Sequence, residues 1–149
     1  MNFLLDNLIF VAPVLGVVGL LFMFLKSNWV SKQDPGDEKM KELSGHIAKG
    51  AMAFLLAEWK VLSVFSIIAA ALLAWSGVML HGPSGGAIAI SFVIGAVFSA
   101  LAGYFGMNIA TKANVRTTQA ARTSLAKALQ VSFTGGTVMG LGVAGLAVF

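Results

Sequence analysis

The sequence predicts an all-α integral membrane protein whose four transmembrane helices are part of a larger multi-helix bundle, with the N-terminus outside. The chain is 58% hydrophobic and 11% charged, with a mean hydropathy of +0.88, whereas about a quarter of the residues in a soluble domain are charged. Four uncharged runs are each about long enough to cross a bilayer. All ten Lys and Arg residues lie in the segments between those runs.

The four runs and their connections form a single membrane domain, 1–149. The predicted spans are about 7–25, 61–80, 87–110 and 128–149, with polar segments at 26–60 and 111–127 and a short uncharged loop at 81–86. The first run follows Asp6 and ends at Lys26. A signal peptide would have a basic region before a shorter apolar core, and a small-residue cleavage site after it. The first run is therefore predicted to be a transmembrane span.

The basic residues predict the orientation. They lie between Lys26 and Lys60 or between Lys112 and Lys127, whereas the N-terminus and the 81–86 loop have none. Because Lys and Arg are enriched in cytoplasmic loops, we expect 26–60 and 111–127 in the cytoplasm. The pI of about 9.7 does not indicate nucleic acid, since the basic residues flank apolar spans instead of forming a stacking platform with aromatic residues.

Two segments predict local structure that matters for assembly. Asp34-Pro35-Gly36-Asp37 is typical of a turn, and Asp37 can cap a helix that begins at Glu38. The stretch Ser99 to Arg122, SALAGYFGMNIATKANVRTTQAAR, has no Pro to end a helix. It therefore predicts one helix that leaves the membrane and continues into water.

Small residues predict where helices approach each other closely. Gly95, Ser99 and Gly103 lie four apart and therefore share one helix face. In the fourth run, Gly136-x-x-x-Gly140 is a second pattern of this kind. Membrane helices associate largely through such small-residue packing. A lone membrane anchor does not need these faces, whereas a helix inside a bundle does.

Residues that could support catalysis are scarce. There is no Cys, and Asp occurs three times, at Asp6 outside and at Asp34 and Asp37 in the turn. Phosphate chemistry would need clustered Asp residues that hold Mg²⁺, and an ion path normally shows acidic residues within the spans. His46 and Glu42 are one turn apart, which is more typical of a solvated helix face than of a metal site. The sequence predicts no catalytic, cofactor-binding or metal-binding residue in this segment.

Three strings resemble membrane-bound pyrophosphatases, the pumps that use inorganic pyrophosphate to move H⁺ or Na⁺. The most specific is GYFGMNIATKANVRT, from Gly103 to Thr117. GHIAKGAMAFLLAEWKVL looks like the start of that family's second helix, and FTGGTVMGLGVAGLAV looks like its fourth. The resemblance runs from about Ile47 to Val148.

The resemblance implies the N-terminal part of such a pump, covering its first four helices and lacking its active site. The family's pyrophosphate and Mg²⁺ motifs lie further along its chains, so no catalytic or metal-binding residue is carried over. Mg²⁺, and K⁺ in some members, would be cofactors of the complete pump only. The implied partners are the remaining pump helices, a second copy in a homodimer, pyrophosphate and the bilayer. The implied location is the bacterial inner (cell) membrane, as a multi-pass protein.

Within such a pump, seven residues are predicted to pack or dock. The small residues would let the third helix pack closely, and the polar ones would dock against the cytoplasmic ends of other helices. They are Gly95, Ser99, Gly103, Gly106, Asn114, Arg116 and Thr117. The alternative is that Lys112 and Arg116 only set the topology.

Two other functions stay open at this point. One is a small stand-alone four-helix scaffold or oligomeric partner protein without enzymatic activity, which would leave the family-like strings unexplained. The other is a small transporter or channel subunit. The lack of acidic residues in the second, third and fourth spans argues against a transporter or channel.

Overall fold

The computed structural model describes the backbone of residues 2–81 and 85–148 and the side chains of 10–79 and 86–148. Residues 82–84 of the predicted loop, and Phe149 at the end of the predicted fourth span, lie outside that description. Four helices account for most of the chain: α1 (Asn2–Ser31), α2 (Glu38–His81), α3 (Gly85–Ala121) and α4 (Leu125–Ala147). No strand occurs in the described residues. All four helices are long and apolar enough to cross a membrane, which confirms the predicted all-α membrane fold with four spans; the N-terminus outside stays a prediction.

The helices extend beyond the apolar runs. α2 has 44 residues and α3 has 37, whereas about 20 residues cross the hydrocarbon core. α3 continues without a break from the apolar third run to Ala121, so the helix predicted for that stretch is continuous. The chain then turns through Arg122 and Thr123, and α4 starts behind Ser124, whose hydroxyl accepts a hydrogen bond from the Lys127 N–H at 3.2 Å. This serine satisfies one of the unpaired N–H groups at the start of α4.

The helices pack in the order α2, α3, α4, α1. α3 contacts both α2 and α4, α4 also contacts α1, and α1 makes a smaller contact with α3. Within the described residues, α2 packs against α3 alone. The buried core lies where α1, α3 and α4 meet, and its members are Met23, Val30, Ile109, Ala113 and Val138.

Glycines on one face of α4 allow this close packing. A Cβ atom placed on Gly135 would lie 2.8 Å from the Ala113 Cβ of α3, and one placed on Gly145 would lie 3.1 Å from a backbone oxygen of α1. Gly136 and Gly140 are exposed, and no atom of another described helix lies within 4 Å of their Cβ positions. Gly136 and Gly140 therefore mediate no close approach among the four described helices, because α4 turns its neighbouring glycine face to α1 and α3. Close approach by Gly136 and Gly140 to a helix outside this unit stays a prediction.

The substitution Gly135→Ala is expected to destabilise the bundle by about 1–3 kcal/mol, since the added methyl group must push α3 and α4 apart. Gly136→Ala is the matched control. It adds the same methyl group one residue away, in open space, where Ala in place of Gly favours a helix. Thermal unfolding of the detergent-solubilised chain measures both. Equal melting temperatures for the two variants would contradict the close contact.

The outer surface is strongly apolar. Large side chains of α2 are mostly exposed, for example Val61 at 71%, Ile67 at 70% and Met79 at 74%. A soluble monomer rarely exposes contiguous apolar patches of this extent. The chain is therefore an integral membrane protein whose surface faces lipid or other transmembrane helices.

Candidate functional site: a linker clamp at the end of α3

The most elaborate polar arrangement joins the end of α3 to the connection between α1 and α2. Arg116 of α3 donates hydrogen bonds from Nε to the Gln33 carbonyl (3.0 Å) and from Nη2 to the Ser31 carbonyl (3.0 Å). Its Nη1 donates to the Lys112 carbonyl at 2.9 Å. The last carbonyls of a helix lack intrahelical partners and carry the negative end of its dipole. Arg116 therefore caps α1 from a neighbouring helix, and its rigid planar fork allows several carbonyls to be bound together.

The connection itself is a turn followed by a helix cap. Gly36 has a φ of 88°, a conformation that other residues adopt at a cost. Its N–H donates to Asp34 Oδ1 at 2.9 Å. Asp37 Oδ1 accepts from the Met40 N–H, also at 2.9 Å, at the start of α2. The predicted turn and the predicted Asp37 cap are both confirmed.

The second carboxylate oxygen of each aspartate binds the end of α3 or the residue after it. Gln119 Nε2 donates to Asp34 Oδ2 at 3.0 Å, and Arg122 Nη1 donates to Asp37 Oδ2 at 3.0 Å. Arg122 also reaches Gln119 Oε1 at 3.3 Å. Each aspartate therefore links its own turn to α3. We call Arg116, Gln119 and Arg122, with their linker partners, the linker clamp.

Hydrogen bonding lowers the pKa of both aspartates. For Asp34 the main cause is the Gly36 N–H, followed by the Gln119 amide. For Asp37 the main cause is the Met40 N–H, followed by Arg122. A carboxyl group with a lowered folded-state pKa stabilises the fold above its unfolded pKa, and this contribution is lost as the pH falls through the folded value. The linker clamp should therefore be intact near neutral pH and loosen in acid.

The Gly36 amide signal is expected to titrate with a midpoint below about 3.9, the ordinary aspartate value, because its partner Asp34 is stabilised in the ionised form. NMR of the detergent-solubilised chain across the acid range measures the midpoint. The substitution Asp34→Asn should abolish the titration. A midpoint at or above the ordinary value would show that the hydrogen bond is not formed.

The predicted packing and docking residues lie in different surroundings. Gly106 of α3 is buried against α4, and a Cβ atom placed on it would lie 3.2 Å from Met139 Cγ. A Cβ atom placed on Gly103 would lie 3.9 Å from Leu55 Cδ1 of α2. Ser99 and Gly103 line an open groove between α2 and α3. No atom of another described helix lies within 4 Å of the Gly95 Cβ position.

The three polar residues of the set also differ. Arg116 is in the linker clamp, and Thr117 is half-buried beside it in sequence. Asn114 is exposed and lines a cavity of about 140 Å³ between α2 and α3. The structure thus brings Arg116 together with the linker but leaves Asn114 outside the clamp.

Gln119 and Arg122 were missed by the sequence analysis, as was the pairing of the linker with α3. A signal was present, because both polar segments were predicted on the same side of the membrane and Arg116, Gln119 and Arg122 are spaced by three. That spacing places them near one side of a helix. The linker carries two aspartates three residues apart, Asp34 and Asp37, whose carboxylates can accept hydrogen bonds from that side of α3.

An aromatic row crosses the bundle on the membrane side of the clamp. The ring centroids of Trp59 and Tyr104 are 6.4 Å apart, those of Tyr104 and Phe105 are 5.6 Å apart, and those of Phe105 and Phe24 are 6.4 Å apart. The row joins α2, α3 and α1.

Comparison with known protein families shows to which family this chain belongs. The family model for inorganic H⁺ pyrophosphatase matches residues 17–149. The chain belongs to this family. No solved structure matches it.

Individual pyrophosphatase relatives match almost the whole chain. A Clostridium tetani protein whose name describes a K(+)-stimulated pyrophosphate-energized sodium pump is 47% identical over 92% of this chain and 19% of its own. A K(+)-insensitive pyrophosphate-energized proton pump of Methanosarcina mazei is 38% identical over 96% of this chain and 21% of its own. A K(+)-stimulated pyrophosphate-energized sodium pump of Thermotoga maritima is 39% identical over 93% of this chain and 19% of its own. The chain spans about a fifth of the length of these relatives.

The titratable residues described here do not build a metal centre. Among the described side chains, 10–79 and 86–148, no group of three or more His, Cys, Asp or Glu residues is placed to hold a metal ion. The nearest approach is the pair His46 and Glu42, 3.8 Å apart and both exposed.

Proposed function

We propose that this chain is the N-terminal part of a pyrophosphate-energised ion pump, which couples hydrolysis of inorganic pyrophosphate to transport of Na⁺ or H⁺. The observation that carries the proposal is the family match over residues 17–149. It is supported by relatives of both ionic specificities that align with more than nine-tenths of the chain. Residues 1–149 are its helical scaffold, and the reaction takes place on the part of the pump beyond them.

The proposed orientation puts the linker clamp in the cytoplasm and the N-terminus outside. Every Lys and Arg lies in 26–60 or 111–127, as the positive-inside rule requires for two cytoplasmic segments. The clamp then holds these two segments together on the cytoplasmic side, where pyrophosphate would be hydrolysed. The protein would be a multi-pass component of the bacterial inner membrane.

The seven packing and docking residues have distinct proposed roles. Gly106 fits α3 against α4, where its Cβ position is close to Met139. Arg116 fastens the α1–α2 linker, with Thr117 beside it. Gly95, Ser99 and Asn114 face space that these four helices leave open, and Gly103 lies at the end of the groove where α2 and α3 meet. All four would contact the remaining helices. The complete pump would be a homodimer that binds Mg²⁺, and K⁺ if it is of the stimulated kind, outside this chain.

A chimeric pump tests the proposal. The matched N-terminal fifth of the Clostridium tetani relative is replaced by this chain, and phosphate release and Na⁺ uptake are measured in membrane vesicles supplied with pyrophosphate and Mg²⁺. We expect both activities within about tenfold of the unmodified relative. A control carries the same four apolar spans in a shuffled order and should be inactive. A chimera that reaches the membrane at normal abundance but releases no phosphate would contradict the proposal.

A further inference from the structure

A long groove of about 880 Å³ opens between α2 and α3. Its walls are largely apolar and include Leu62 of α2 and Val97 of α3. Ser99 and Gly103 are the small residues of the α3 wall. At the Gly103 end of the groove α2 and α3 are in contact, and Leu55 of α2 is buried there. A groove of this shape holds the ridge of side chains along one face of a further helix, as in ordinary helix packing.

The groove also has a carboxylate in its wall. Glu58 of α2 lines it next to Trp59. Within the described part of the chain, Glu58 has no ion-pair or hydrogen-bond partner. Lys60 is two residues away and therefore on a different face of α2. A carboxylate beside apolar groove walls is stabilised by a hydrogen-bond donor brought by whatever fills the groove.

We propose that the α2–α3 groove receives a transmembrane helix from the remaining four-fifths of the pump, which places a cationic or amide side chain against Glu58. The inference rests on the proposed function, since the occupant comes from chain length that the relatives have beyond their match to residues 1–149. Because Ser99 and Gly103 are small, they allow the docked helix to approach α3 closely. Glu58 sets the register, because the donor must lie at its level.

Photo-crosslinking in the full-length chimera tests the groove. A protease site follows Phe149, and p-benzoylphenylalanine replaces Ser99 in one variant and Ile94 in the other. Ile94 lies on the same helix, is 47% exposed and is not a groove residue. After irradiation and cleavage, a covalent link between the two fragments appears as a larger band. We expect at least tenfold more linked product from position 99 than from position 94.

Charge reversal tests the role of Glu58. Glu58→Lys should reduce linking from position 99 at least fivefold. The new ammonium group would face the cationic or amide donor of the docked helix, and two donors or two cations do not stabilise each other. The control is Glu42→Lys, a reversal at an exposed position outside the groove, and it should leave linking unchanged. If Glu58→Lys left the amount of linked product unchanged, the assignment of a hydrogen-bond donor opposite Glu58 would be wrong.

The remaining outcomes separate this inference from the proposed function. Phosphate release is measured on the same samples. An active chimera whose position 99 reacts only with lipid or with a second copy, or no more than position 94, overturns the groove assignment and leaves the proposed function standing. An inactive chimera counts against the proposed function, and the presence or absence of the link from position 99 still decides whether the groove holds a helix of the remaining chain.

Discussion

Replacing Arg116 with alanine is expected to lower the stability of the four-helix unit by about 2–3 kcal/mol, since hydrogen bonds from a charged group contribute about 1.5–3 kcal/mol each and water can replace part of the set. The change removes the bond to the Ser31 carbonyl at the end of α1 and the bond to the Gln33 carbonyl in the linker. Thermal unfolding of the detergent-solubilised chain measures the loss. In the chimeric pump, we expect the amount of assembled protein and its phosphate release to fall by about tenfold or more.

A lysine at the same position separates a docking role from a topological one. Arg116→Lys keeps the positive charge but offers a single ammonium group instead of a planar fork, so it should recover less than half of the lost stability. Lys112→Ala is the control, because it removes a neighbouring charge while its backbone carbonyl, the acceptor used by Arg116, remains. If Arg116→Lys matched the native chain, Arg116 would serve only to set the orientation, and the docking role would be wrong.

Replacing Gly36 with valine is expected to be the second large effect. The positive φ of 88° costs an ordinary L-residue roughly 1–2 kcal/mol. A Cβ atom there would also lie 3.1 Å from Gln119 Oε1 and meet the Met40 side chain at 2.6 Å. The Met40 and Gln119 side chains would have to turn away from the added side chain, so the Asp34–Gln119 bond should be lost and the linker should loosen from α3. The total expected loss is about 2–4 kcal/mol.

The readout for Gly36→Val is again thermal unfolding, combined with proteolysis of the linker in sealed vesicles. Cleavage within 32–37 should become faster as the linker leaves α3. The control is Gly45→Val, in the exposed part of α2, where no atom of another described helix lies within 4 Å of the Cβ position. Unchanged cleavage and melting in Gly36→Val would mean that the linker is not held against α3 as the structure shows.

The interpretation of the clamp depends on its hydrogen bonds acting together. Asp34, Asp37 and Arg122 are all largely exposed, and an isolated exposed ion pair contributes little. In the clamp, each aspartate binds both its own turn and the α3 side. The linker therefore cannot release one partner without disturbing the turn, and this makes Gly36 and Arg116 more sensitive positions than any single exposed charge.

The sequence by itself determined the helical membrane class and several local features. The uncharged runs predicted four helices that can span a membrane, because length and apolarity are local properties of the chain. The turn at Gly36 and the Asp37 cap followed from residues within four positions of each other, which is the range of such hydrogen bonds. The string from Gly103 to Thr117 was specific enough to indicate the pyrophosphatase family, which the comparison over residues 17–149 confirms.

Only the tertiary structure decided which surfaces meet. α4 carries glycines on adjacent faces, and a four-residue spacing could not show that Gly135 and Gly145, rather than Gly136 and Gly140, contact the other helices. Arg116 reaches carbonyls 83 and 85 positions away in the chain. Such contacts depend on how α1, α3 and α4 are placed side by side, which local periodicity does not specify. For the same reason, the open groove between α2 and α3 could be recognised only once both helices were in place.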